Sequence, residues 1–198
     1  MAILRSKHPD VYIPDNLSWT EFVFQNFDKY GDRTAIVDAI SGRCLSFNQL
    51  KDQTRRFSSA LARRGFKKGD LLAIYLPNVI EYPIILHGVA CLGGVSTSVN
   101  PQYSPQDLAR QLKTSRARYL VTTPSLAVQA SNAGVLKGIR SVFVVGEAQR
   151  DYESISSLLS DDGTAFPENV KINQRRCGRL PFSSGTTGFS KGVYDDTL

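Results

Sequence analysis

Residues Leu71-Leu-Ala-Ile-Tyr-Leu76 form an almost unbroken apolar run that ends at Pro77-Asn78. A strand with one wet face alternates apolar and polar residues, so a run without alternation must be covered on both faces. That segment therefore demands helices above and below the sheet that holds it. Val95 to Val99, Tyr119-Leu-Val-Thr122 and Ser141-Val-Phe-Val-Val145 read as further strands. Helices are predicted between them: over 81–92, from Ser104-Pro105-x-Asp107 onward, and over 124–133. The proline of the second stands where its missing N–H does no harm. This alternation predicts an α/β fold: a doubly wound, mostly parallel sheet with flanking helices.

Upstream, residues 1–17 read as an extended, proline-containing lead. Ser18 with Glu21, and Ser46 with Gln49, have the spacing of capping boxes. The first opens a helix whose apolar side is expected to carry Phe22, Phe24 and Phe27, with Gly31 as its stop. The second opens a helix with Phe47, Leu50, Thr54, Phe57 and Leu61 on one face and Gly65 at its end. Between these helices, two short strands turn about Ser41-Gly42. Residues 147–178 are looser and more polar, with one helix expected near 152–159.

Composition removes several function classes. At 198 residues, with 41% hydrophobic and 21% charged, the chain is long enough for one globular domain. Its net charge of +6 is spread along the sequence, the densest group being Lys171, Arg175, Arg176 and Arg179. With no run of like charges and no zinc-finger spacing, no nucleic-acid partner is expected. Cys44, Cys91 and Cys177 are odd in number and far apart, which predicts reduced thiols, with Cys91 a buried small hydrophobe. His8 and His87 alone offer little for a metal cluster or a nucleophilic triad, so no metal site is expected. The N-terminus lacks the apolar core of a signal peptide, and the apolar stretch from Tyr82 to Val95 is too short to span a membrane. No membrane span is expected, and the location implied is intracellular.

The chemistry is concentrated near the end. Leu180-Pro-Phe182 closes a short strand and leads into Ser183-Ser-Gly-Thr-Thr-Gly188, with Lys191-Gly192 just beyond. Gly185, Gly188 and Gly192 would let backbone N–H groups approach an anion, the hydroxyls of Ser183, Ser184, Thr186 and Thr187 would donate to its oxygens, and Lys191 would supply charge. The spacing is not that of a Walker A loop, because Ser190 precedes the lysine and Gly192 comes after it. Nor is it a GxGxxG fingerprint or a GxSxG elbow.

Every position from Leu180 to Lys191 resembles the phosphate-binding loop of the adenylate-forming, AMP-binding superfamily, with Ser190 where that family most often has proline. The stretch Ile3 to Pro14, Leu45-Ser-Phe-Asn-Gln-Leu50, Gly69-Asp70, Leu76-Pro-Asn78, Gly93-Gly94 and Asn100-Pro101 resemble the 4-coumarate–CoA ligase-like branch in order and spacing. The resemblance implies the N-terminal part of the adenylate-forming fold over 18–193. It also implies an acid–CoA ligase: a carboxylic acid, such as a phenylpropanoid or fatty acid, is joined to ATP and passed to coenzyme A. Ser183, Ser184, Gly185, Thr186, Thr187, Gly188 and Lys191 would hold the ATP phosphates, with Mg²⁺ as counter-ion. A cytoplasmic or peroxisomal location goes with that activity.

Past Val193 the likeness stops: the family continues with an apolar residue, a polar pair and a histidine, whereas this chain reads Tyr194-Asp-Asp-Thr-Leu198. Residues 194–198 are therefore read as a divergent tail, and the chain as a truncated fragment with no catalytic residue of its own. A non-catalytic isoform that binds or regulates a full-length relative is the alternative expectation.

Overall fold

The computed structural model describes residues 7–9, 14, 16–167, 178–183 and 191–193. The unbroken apolar run forms β3 (Leu71–Ile74), each residue of which is buried, and β3 lies between neighbours on both sides. Around it run β4 (Val95–Ser98), β5 (Tyr119–Thr122), β6 (Ser141–Val144) and β7 (Glu153–Ser154). The spatial order is β4-β3-β5-β6-β7, and every pairing is parallel.

Alternate residues of β3 point into two separate cores, as the sequence requires. Leu72 and Ile74 face a layer built from α3 (Phe47–Arg63), α4 (Tyr82–Cys91) and α7 (Ile155–Leu159), while Leu71 and Ala73 face α5 (Pro105–Ser115) and α6 (Pro124–Asn132). Both cores exclude water from side chains such as Phe57, Ile84, Leu108 and Leu120, each contributing about 1.5–3 kcal/mol by burial. The order corresponds to a doubly wound sheet whose direction of growth reverses between β3 and β5.

The capping boxes form as the spacing predicts. Ser18 and Glu21 close one at the start of α1 (Trp19–Phe24), and Ser46 and Gln49 close another at the start of α3. Leu50, Thr54, Phe57 and Leu61 are the buried face of α3. The strands β1 (Thr34–Val37) and β2 (Cys44–Ser46) pair antiparallel about the Ser41-Gly42 turn.

Three expectations need correction. The first helix is two short ones, α1 and α2 (Phe27–Tyr30), broken at Gln25-Asn26. Its apolar side excludes Phe22, which is 44% exposed, because residues two apart on a helix do not share a face; Phe24 and Phe27 stack inward instead. The segment near 152–159 begins as the edge strand β7 before turning into α7. There Arg64 at the end of α3 grips Glu153 through two hydrogen bonds, which tie the last strand to the first crossover layer. The expected extended lead over 1–17 lies largely outside the described residues.

Candidate functional site

The strand arrangement fixes where the glycine-rich loop emerges. Arg179 bridges Ser96 in parallel, with Ser96 donating its N–H to Gly178 O at 2.7 Å and Leu180 donating to Ser96 O at 2.8 Å. Residues 178–180 thus lie along the free edge of β4 and point the same way as the sheet. The chain beyond Leu180 therefore leaves from the carboxyl edge, where open parallel sheets carry ligand crevices. Past Pro181 it turns away and pairs antiparallel: β8 (Phe182–Ser183) faces β9 (Lys191–Gly192), and Val193 N–H donates to Pro181 O at 2.9 Å.

This hairpin closes residues 184–190 at their base and sets the geometry of two predicted site residues. Ser183 and Lys191 are directly opposite one another. Opposed residues of an antiparallel pair share a face, with Cβ atoms about 5 Å apart. Ser183 and Lys191 therefore rise from one face of the hairpin, and both are exposed. That pair suits an anion, since one donates a hydrogen bond and the other supplies charge. Ser184, Gly185, Thr186, Thr187 and Gly188 lie outside the described residues.

The packing of the hairpin gives Gly192 a structural role as well. A Cβ at Gly192 would lie 3.2 Å from Phe182 Cζ and 3.5 Å from Leu180 Cδ1. Gly192 thus leaves room for the Phe182 ring. Leu180, 2% exposed, roots the hairpin in the core beside α5.

Sequence reasoning missed the groups that hold the lead-in strand. Ser96, Thr97 and Gln111 are polar and nearly fully buried. Ser96 Oγ donates to Gly178 O at 3.1 Å, and Thr97 Oγ1 donates to Leu180 O at 2.8 Å. Gln111 Nε2 reaches Thr97 Oγ1 at 3.1 Å and Ser98 O at 2.9 Å. The available signal was the hydroxyl-rich Val95-Ser-Thr-Ser98, unusual among apolar strands.

The remaining candidates serve packing. His87 stacks on Trp19 at 4.4 Å, and its Nδ1 lies 3.1 Å from Thr20 Oγ1. Burial, aided by the Arg179 charge, lowers its pKa to about 4, so the ring is neutral at pH 7. Arg179, from the basic group upstream of the loop, sits over the Trp19 ring at 5.8 Å. Cys91 is only half-buried, yet burial pushes its thiol up to about 12, which leaves it unreactive at pH 7. Among the described residues, no group of three or more His, Cys, Asp or Glu could hold a metal ion, and no helix is long and apolar enough to cross a membrane.

The profile of the AMP-binding enzymes matches residues 23–194. This chain belongs to the AMP-binding enzyme family. It is 33% identical to 4-coumarate–CoA ligase 1 of Petroselinum crispum, over 96% of this chain and 35% of that protein. With 4-coumarate–CoA ligase 4 of Arabidopsis thaliana the identity is 36%, at the same two coverages. Among solved structures, a long-chain-fatty-acid–CoA ligase from Archaeoglobus fulgidus superimposes with a TM-score of 0.83 at 25% identity, over 96% of this chain and 38% of that one. An anthranilate–CoA ligase in complex with anthranoyl-AMP superimposes at 0.81 with 23% identity, over 92% of this chain and 35% of its own, which bears on the fold alone. The chain thus spans about a third, 35%, of the length of the curated relatives it matches.

Proposed function

We propose that this chain carries the ATP-phosphate loop of an acid–CoA ligase. In that reaction a carboxylate oxygen attacks the α-phosphorus of ATP, pyrophosphate leaves, and the acyl group of the acyl-adenylate then passes to the coenzyme A thiol with release of AMP. Ser183, Ser184, Gly185, Thr186, Thr187, Gly188 and Lys191 would receive the β- and γ-phosphates, with Mg²⁺ sharing the charge. The role is one of positioning and charge neutralisation. No residue of this chain is assigned a bond-making step.

The observation that carries the reading is the opposition of exposed Ser183 and Lys191 at the closed base of a hydroxyl- and glycine-rich loop, on the carboxyl edge of a parallel sheet. The ligase relatives support the reaction class, and their names span coumarate, a long-chain fatty acid and anthranilate. A phenylpropanoid or fatty acid is accordingly the proposed acid, and the cytosol or peroxisome the proposed location.

The test is a titration of the purified chain with MgATP by calorimetry. Lys191→Ala should weaken binding about tenfold, the scale of one lost charge-assisted contact, and Lys191→Arg should restore part of it. Wild-type affinity retained in Lys191→Ala would refute the loop assignment.

A further inference from the structure

The lead-in strand should not stop where it does. A parallel ladder that runs from Ser96 N–H to Gly178 O and from Leu180 N–H to Ser96 O has its next rungs fixed by geometry. Those rungs would join Ser98 N–H to Leu180 O, and the N–H of Phe182 to Ser98 O. Neither rung is present among the described residues, and both acceptors are bonded by side chains. Thr97 Oγ1 occupies Leu180 O at 2.8 Å, and Gln111 Nε2 occupies Ser98 O at 2.9 Å. The same Nε2 reaches Thr97 Oγ1 at 3.1 Å, so the two replacements form one unit.

We infer that Thr97 and Gln111 are positioning residues that peel the strand off β4 at Leu180, so that Phe182 and Ser183 are released to pair with Gly192 and Lys191. Continued along β4, Phe182 and Ser183 would be drawn into the sheet ladder and the opposition of Ser183 to Lys191 would be lost. Burial makes the device specific. Thr97 is 0% and Gln111 4% exposed, in a layer where Leu108, Leu112 and Leu180 are their apolar neighbours. Polar groups are costly in such a place unless bonded, and an aliphatic residue would fill the layer without that liability.

The inference rests on the phosphate reading for its functional consequence but not for its structural one, and the experiment separates the two. Amide hydrogen exchange is measured on the full chain for residues 178–183 and 191–193, with 71–76 of β3 as the internal reference, alongside MgATP titration. Thr97→Val removes the donor at nearly constant shape, and Gln111→Met removes the other at similar volume. Each should speed exchange of Val193 in the hairpin about tenfold, the scale of one net hydrogen bond, while Leu180, which stays bonded to Ser96 O, and the β3 amides exchange no faster than in the wild type. The MgATP dissociation constant should rise several-fold, and Thr97→Ser should restore both readouts. If Thr97→Val does not fold, Gln111→Met decides the question alone. Unchanged exchange at Val193, or equal acceleration in β3, would overturn the inference. A wild-type chain that binds no MgATP would remove the phosphate reading, while exchange would still decide the role of Thr97 and Gln111.

Discussion

Gly88 lies in the interior of α4, where propensity alone favours alanine by about 1 kcal/mol. The packing argues the reverse. A Cβ there would stand 2.5 Å from Phe57 Cδ1, 3.2 Å from Phe57 Cε1 and 3.3 Å from Ser58 Oγ. Two carbons prefer about 3.5 Å or more, so the closest contact is about 1 Å too short. Phe57 is 0% exposed, so its ring cannot relieve the clash by a small shift into solvent. Ser58 Oγ donates to Gly88 O at 3.0 Å, a bond that any retreat of α4 would stretch. Overpacking costs about 1–3 kcal/mol, and a 2.5 Å contact with a fully buried ring belongs at the upper end, about 2–3; the propensity gain offsets about 1, so Gly88→Ala should destabilise by about 1–2 kcal/mol. For a chain of this size that lowers Tm by about 3–6 °C. Urea denaturation monitored by circular dichroism measures the loss directly. Phe57→Leu on the Gly88→Ala background should show a favourable coupling of about 1 kcal/mol, because the shorter side chain vacates the clash. A neutral or stabilised Gly88→Ala would refute the packing account and leave propensity as the deciding effect.

The folded pKa of His87 is depressed to about 4 from 6.5, so its contribution is complete above pH 6.5 and is lost as pH falls toward 4. Unfolding free energy should decline over that window by up to about 3 kcal/mol, and His87→Gln should flatten the slope in pH-dependent urea melts. A His87→Gln profile with the wild-type slope would contradict this. Glu153 is held below the usual carboxylate range chiefly by its hydrogen bond from Arg64, so the pair stabilises above pH 4.5 and fails as the carboxylate protonates. Both side chains are about a third exposed (30% and 38%), so after screening Arg64→Met should cost about 1 kcal/mol, and less in 1 M salt. A loss that does not diminish with salt would point to lost packing instead.

What could be read from the sequence was what repeats or what is local. Leu71 to Leu76 announced the buried sheet by lacking alternation, and the capping boxes announced α1 and α3 through residues three apart. Phe57 and Leu61 could be placed on a buried face because α3 is long enough for its period to show. The failures lie where neither signal exists. Glu153-Ser154 is too short for a period, so β7 passed for the start of a helix. The break between α1 and α2 has no proline or glycine to mark it. In the candidate site, the loop could be proposed from the sequence because its residues are contiguous. Its support was not: Thr97 meets a carbonyl 83 positions away, and Gln111 reaches back across a crossover.

The composition of β4 joins these two levels. Ser96, Thr97 and Ser98 would mark a wet edge strand by the usual reading of hydroxyls in a sheet, yet Ser96 and Thr97 are buried beneath residues 178–180. Water therefore does not account for the hydroxyls; a neighbour that must end does. A wholly apolar β4 would offer a backbone ladder with nothing to interrupt it, and the lead-in strand would continue along it. Hydroxyls at Ser96 and Thr97 bind the neighbour's carbonyls as far as Leu180, and Gln111 caps the next acceptor on β4. The polarity of β4 thus determines where the chain departs from the sheet, and that departure determines which side chain stands opposite Lys191.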